Sequence, residues 1–126
     1  PYAAMNHYLL PHGSPDTRKP GHYGNLSTTT IIQLMRQLDP TEGTLRARIF
    51  GGAKVLDCLG DYTAIGEGNI AIARQVLAQH RIPIEEQEVG GTRGRRIYFD
   101  TAAGRVRVEM IQTSAELAAD LNGRAR

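Results

Sequence analysis

Arg96-Ile97-Tyr98-Phe99-Asp100-Thr101-Ala102-Ala103-Gly104-Arg105-Val106-Arg107-Val108-Glu109-Met110-Ile111 is the stretch that decides the fold class. Apolar and polar residues alternate on both sides of the turn at 101–104, the period of two that a half-buried antiparallel hairpin requires. A terminal hairpin argues for an α+β fold with a mixed β-sheet or sandwich core and flanking helices, rather than a doubly wound parallel sheet. Ahead of it, residues 82–89 are expected to be a strand, extended by Pro83, followed by the turn Gly90-Gly91-Thr92-Arg93-Gly94. Behind it, Thr113-Ser114-Ala115-Glu116 forms a capping box for a short helix through Leu121, ended by Gly123.

Toward the N-terminus, Ile31, Leu34, Met35 and Leu38 fall at i, i+3, i+4 and i+7 and predict a helix over 26–38 with that face inward. Asn25 or Ser27 can cap it, and Pro40 helps to end it. Residues 45–50 alternate as a strand, with Arg46 and Arg48 on one face, and run into Gly51-Gly52-Ala53. A second helix is predicted over 69–80, with Ile70, Ala73, Val76 and Leu77 inward and Gly66-Glu67-Gly68-Asn69 as its entry. Residues 2–10 are apolar nearly throughout and stop at Pro11, as a buried strand would. A period of two then puts Met5, His7 and Leu9 on one face and Tyr8 and Leu10 on the other. A polar loop follows over 11–24.

The chain has 126 residues, 40% of them hydrophobic, and a formal charge of +2. That is one domain with a core large enough to need no staple. The single cysteine, Cys58, excludes an internal disulfide and every multi-cysteine metal site, and suits a reducing, cytoplasmic setting. No run approaches the roughly 18 apolar residues of a membrane span, so no membrane insertion is expected. The small basic excess does not call for nucleic acid.

Chemistry narrows to a few residues. Cys58 follows Asp57 in an apolar patch, and an adjacent carboxylate raises a thiol pKa, the wrong direction for a nucleophile. It reads as a small hydrophobe. His7 lies in an apolar strand on the face of Met5 and Leu9, and its residues alone read as a core histidine whose ring is satisfied by a backbone carbonyl. His7, His12 and His22 lack a carboxylate or thiol at ligand spacing, so no metal or cofactor is expected. His80, at a helix end, suits the last carbonyls. The glycine clusters at Gly51-Gly52, Gly66-Gly68 and Gly90-Gly91 match no phosphate loop, but their bare amides near a histidine could stabilise an oxyanion. Arg93, Arg95, Arg96, Arg105 and Arg107 stand close to Glu85, Glu86 and Glu88, which favours a mixed-charge surface over an acidic-partner site.

Taken in order, Ala4-Met5-Asn6-His7-Tyr8-Leu9-Leu10-Pro11, Arg46-Ala47-Arg48-Ile49-Phe50-Gly51-Gly52-Ala53, Ile65-Gly66-Glu67-Gly68-Asn69, Gly90-Gly91-Thr92-Arg93-Gly94-Arg95-Arg96 and the closing Gly104-Arg105-Val106 resemble the CheD family of chemoreceptor glutamine deamidases. The resemblance covers roughly residues 3–111, a domain over 1–111, and leaves 112–126 as a C-terminal extension with a short helix and tail. It implies an α+β fold related to cysteine deamidases and a cytoplasmic enzyme, a protein-glutamine glutaminase, that hydrolyses receptor glutamines to glutamate in chemotaxis adaptation. Chemoreceptors would be substrates, and a CheC-type phosphatase a partner. Neither a cofactor nor nucleic acid is implied. By the resemblance His7 is the catalytic acid/base, in an Asn-His-x-x-Leu-Pro pattern, with Gly51, Gly52, Gly90, Gly91 and Arg95 as oxyanion or substrate-loop candidates.

The family's nucleophile belongs to a Leu-Gly-Ser-Cys-type strand well ahead of this histidine, and Cys58 matches no catalytic position. The nucleophile is therefore expected before residue 1, with the N-terminal strand that carries it, and these 126 residues are expected to be inactive alone. A catalytically dead descendant is the alternative to a preceding segment. Asn25 stands where the family often has aspartate. The rival function is a non-catalytic interaction module that binds a CheC-type phosphatase or a receptor; a nucleic-acid module would rest only on the hairpin arginines.

Overall fold

The structure, a computed structural model, describes residues 2–41, 43–54, 63–112 and 114–124. Along them run α1 (Gly24–Leu38), β1 (Ala47–Gly51), α2 (Thr63–Gln79), β2 (Ile84–Val89), β3 (Arg95–Asp100), β4 (Arg105–Met110) and α3 (Ser114–Arg124). The terminal hairpin forms as its alternation requires: β3 and β4 pair antiparallel from Arg95 opposite Met110 to Asp100 opposite Arg105. Ile97, Phe99, Val106 and Val108 are half-buried, while Arg96, Tyr98, Arg105 and Arg107 are exposed. Asp100 closes the turn by accepting the amides of Ala102 and Ala103, both at 3.1 Å.

β1 and β2 pair in parallel through the crossover helix α2. Both kinds of pairing that a mixed sheet needs are thus present among the described residues, but in separate two-stranded ladders. The ladders are joined by side chains: β1 touches β3, and Arg48 donates from Nη1 to the carbonyl of Gly104 at 2.7 Å. The fold class is α+β with helices against the parallel pair.

Both long helices differ from the sequence expectation in the same way. α1 starts at Gly24, and its buried positions are Gly24, Ser27, Thr28 and Ile32; Leu34 and Leu38 are exposed. The inward stripe is one position off the expected Ile31-Leu34-Met35-Leu38 set because α1 meets α2 through Gly24, where an added Cβ would lie 2.6 Å from Ile72 Cγ2. Asn25 does not cap the helix. Its amide exchanges two hydrogen bonds with the backbone of Gly13, at 2.9 and 3.0 Å, and ties down the polar loop instead.

α2 begins at Thr63, six residues before the predicted start, so Gly66 and Gly68 are helical rather than an entry loop. Gly66 is there for close approach: a Cβ would sit 2.6 Å from the carbonyl oxygen of Gly52. Ala73, Val76 and Leu77 face inward as expected, joined by Ile72. The helix ends in a Schellman turn, with Arg81 at φ 57° and Ile82 N–H donating to Leu77 O at 2.9 Å. His80 does not reach the last carbonyls. Arg36 does so, donating from Nη2 to His80 O at 2.6 Å.

The core is the cluster Ile32, Ile72, Val76, Leu77 and Ile82, with Tyr8, Leu45, Ala47, Ile49 and Ile84 packed against it. α3 carries Glu116, which pairs with Arg93 at 3.1 Å, and exposes Leu117 and Leu121. The expected cap residue Thr113 lies outside the described residues. The hairpin arginines form a mixed-charge surface, with Arg96 and Arg107 both on Glu109 and Arg107 stacked 3.9 Å from the Tyr98 ring centroid.

Candidate functional site

Among the described residues, the segment over 2–10 forms no ladder, and Leu10 makes an isolated parallel bridge to Tyr23. The period of two survives, yet with its faces reversed. Asn6 and Tyr8 point in and are half-buried, whereas Met5, His7 and Leu9 are exposed. The burial expected for His7 is therefore corrected. No strand among the described residues lies over that face, so its ring stands in solvent, with no side-chain hydrogen bond there. His12 and His22 are also exposed.

The neighbours of His7 are held firmly. Asn6 Nδ2 donates to Ser27 Oγ at 3.0 Å and to Thr28 Oγ1 at 3.1 Å, both on the first turns of α1. Tyr8 Oη donates to the carbonyl of Asn69 on α2 at 2.6 Å, and Asn69 Nδ2 donates back to Leu9 O at 3.1 Å. Burial pushes the Tyr8 phenol above its ordinary pKa, because the phenolate would lose hydration there. The amides of Leu9 and Leu10 share His22 O, each at 3.0 Å.

The glycine candidates form a second group. Gly51-Gly52 ends β1 and Gly90-Gly91 follows β2, so the parallel register brings the two turns side by side. Gly90 N–H donates to Gly51 O and Lys54 N–H to Gly91 O, both at 2.8 Å. All four glycines have positive φ, which an L side chain rarely adopts. Gly52 also approaches α2 closely: a Cβ would fall 2.4 Å from Ile70 Cγ1 and 2.9 Å from Gly66 O.

Arg95 lies beneath these turns with only 7% of its side chain exposed, donating from Nη1 to Gly51 O at 3.3 Å. Glu88 approaches its Nε at 4.0 Å, and that nitrogen has no hydrogen bond. A guanidinium so placed braces the turn carbonyl. The residues 66–70 of α2 connect the groups, with Gly66 and Ile70 against Gly52 and Asn69 against Tyr8 and Leu9. Cys58 lies outside the described residues.

The sequence offers Ser27 as a cap, Asn6 as part of the His7 pattern and Asn69 as part of a helix entry, but gives none of them, nor Thr28, a place in the site. Ser27 and Thr28 did leave a signal, since two hydroxyls on the buried stripe of an amphipathic helix demand a partner. That signal becomes visible only once the stripe is placed correctly.

Chemically, the arrangement offers an accessible imidazole on a braced segment and, packed against the same first turns of α2, the glycine turns with their main-chain amides. Of these, Gly90 N–H is already paired, while Gly52 and Gly91 have no backbone acceptor among the described residues.

Residues 9–110 match the family model described as CheD chemotactic sensory transduction, a stretch that starts just after His7. Among curated proteins, the chain is 35% identical over 115 residues to a probable chemoreceptor glutamine deamidase CheD of Sulfurimonas denitrificans, covering 87% of this chain and 71% of the relative. It is 38% identical over 110 residues to the protein so named in Caulobacter vibrioides, covering 85% and 57%. A third, from Rhodospirillum rubrum, is 36% identical over 121 residues, covering 96% and 67%. The chain thus spans between 57% and 71% of the length of these relatives. No helix among the described residues is long and apolar enough to cross a membrane.

Proposed function

The chain belongs to the CheD family, and from that premise we propose that it is the larger part of an enzyme that hydrolyses glutamine side chains on chemoreceptors to glutamate. The observation that carries the proposal is the family match over residues 9–110, joined to relatives named as chemoreceptor glutamine deamidases. His7 is the proposed acid/base, supported by its exposed ring on a braced segment. The nucleophile is proposed to be a cysteine preceding residue 1, as the family resemblance implies, rather than Cys58.

In this mechanism the thiolate attacks the glutamine carboxamide carbon and forms a tetrahedral oxyanion. Main-chain amides stabilise it, and Gly52 and Gly91 are the proposed donors because the Gly90 amide is engaged with Gly51. The C–N bond then breaks as imidazolium protonates the departing ammonia, leaving a thioester. Water attacks the thioester with imidazole as base, and the thiolate leaves. Arg95 holds the turn that presents these amides. A CheC-type phosphatase is the proposed regulatory partner, on the resemblance alone.

The test uses the full-length protein and a receptor-derived peptide containing a glutamine. Mass spectrometry is expected to show the mass change of NH2 replaced by OH, together with released ammonia. Both should disappear on His7→Ala and on substitution of the upstream cysteine. Undiminished turnover by His7→Ala would remove His7 from the mechanism. A full-length protein that binds receptor but deamidates nothing would favour an interaction module.

A further inference from the structure

The bonding around His7 is organised about a residue that takes no part in it. From the residue before, Asn6 reaches α1; from the residue after, Tyr8 reaches α2; and Asn69 of α2 returns to the carbonyl of Leu9. The His7 ring lies between these tethers, exposed and unbonded among the described residues. We infer that Asn6 with Ser27 and Thr28, and Tyr8 with Asn69, form a bracket of positioning residues that fixes the backbone of His7 while leaving its ring free to move a proton. This inference rests on the proposed role of His7 and deepens it.

Three features of the bracket run against what stability alone would select. Ser27 and Thr28 are buried polar residues, and they lie on the stripe of α1 where apolar residues would strengthen the core. Asn69 is committed to Leu9 through Nδ2, while its own Oδ1 is buried without a hydrogen bond. Leaving such an acceptor unpaired is destabilising. The Tyr8 ring is pressed so closely on α1 that any side chain at Gly24 would meet it, at 2.6 Å from Cε2. Local rules broken together, around one chemically active residue, are characteristic of a functional site.

The physical consequence is geometric. Without a ladder, a segment of this length would sample many backbone conformations. An acid/base must stay within hydrogen-bond reach of both thiol and leaving group. Polar side chains of the adjacent residues achieve this without burying the imidazole, and without a hydrogen bond to the ring among the described residues.

The experiment measures kcat and KM for deamidation by the full-length protein. Asn6→Ala is compared with the double variant Ser27→Ala/Thr28→Ala and with all three substitutions combined. Because small displacements of a positioned group slow the chemical step, Asn6→Ala and the double variant should each lower kcat by about ten- to a hundredfold. KM is expected to stay within about twofold, and the combined variant should be no slower than either alone. Thr28→Ser keeps both hydroxyls and is expected to keep kcat.

Tyr8→Phe supplies a second arm with the same loss confined to kcat, should Asn6→Ala fail to fold. An unchanged kcat in folded Asn6→Ala or Tyr8→Phe, multiplying losses, or an effect carried by KM would overturn the bracket. His7→Ala in the same assay separates the two ideas. If it is inactive while Asn6→Ala works normally, the bracket fails and the role of His7 stands; if it is fully active, both fail.

Discussion

Asn6 and Tyr8, on either side of His7, are attached to the helices through their side chains, with main-chain bonds beginning at Leu9, whereas the turns at Gly51-Gly52 and Gly90-Gly91 meet through main-chain hydrogen bonds. The two halves of the candidate site should therefore fail in different ways. Around His7, deleting a carboxamide or a hydroxyl loosens a tether while the backbone of both helices is undisturbed. At the turns, side-chain polarity matters little, but the mere presence of a Cβ is disruptive. A catalytic ring has to be aimed, which polar tethers can do. An oxyanion site has to present N–H groups, which a turn without side chains leaves accessible.

The largest effect should come from putting a methyl group where the backbone is closest. Gly52→Ala combines left-handed backbone strain with contacts of 2.4 Å to Ile70 and 2.9 Å to the carbonyl of Gly66. Strain and overpacking each cost on the order of 1–3 kcal/mol, so a loss of about 2–4 kcal/mol is expected in urea denaturation. Gly90→Ala is the control: it has φ 78° but nothing within 4 Å of the added Cβ, so strain alone remains, about 1 kcal/mol. Equal losses for the two would show that close approach to α2 contributes nothing.

Arg95 tests whether the turns need any side chain at all. It is buried, bonded to Gly51 O, and paired with Glu88 only at 4.0 Å. Arg95→Ala is expected to cost roughly 1–3 kcal/mol, because Gly51 O loses a donor and the packing beneath the turns is lost. Faster amide exchange at Gly90 and Lys54, whose N–H groups bridge the turns, is the local signature. Arg96→Ala, on a neighbour with 60% exposure and its partner Glu109 at 3.5 Å, should change stability by about 0–1 kcal/mol. Similar losses for both arginines would reduce Arg95 to a surface charge.

How far the sequence revealed these halves follows from the range of the interactions involved. Hairpin β3–β4 was legible because its alternation is local and both strands lie within one short stretch. The pairing of the glycine turns was not, since it depends on β1 and β2 aligning in parallel across the whole of α2. Helix α2 starts six residues ahead of its expected position because Gly66 and Gly68, expected as the entry, sit inside the helix at close approaches to Gly52 and Pro11, where tertiary packing overrides their low propensity. The face of α1 was missed for a related reason: Gly24 and Thr28 carry no apolar signal, yet they lie where the helices meet. The motif singles out His7 as a candidate, but its exposure depends on which side of the segment the helices occupy, and period alone leaves that choice open.

The smallest effect within the candidate site, and the finest test of the side-chain tethers, lies with Tyr8. Removing its hydroxyl leaves the ring packed against Gly24 and deletes one hydrogen bond to Asn69 O, so Tyr8→Phe should lose about 1 kcal/mol near neutral pH. Its pH dependence then distinguishes a buried donor from a solvated one. The folded phenol is held above its ordinary pKa by burial, while in the unfolded chain it ionises near pH 10. Below about pH 10 both states keep the proton, so the contribution of Tyr8 is fully present. As pH rises through that value toward the raised folded one, the unfolded chain releases its proton first and the balance moves toward unfolding. The parent should therefore lose stability above about pH 10 faster than Tyr8→Phe, and the gap between them should narrow. A gap that stays constant in alkaline urea titrations would mean that the phenol is free to ionise in place, with its bond to α2 too weak to hold the His7 segment.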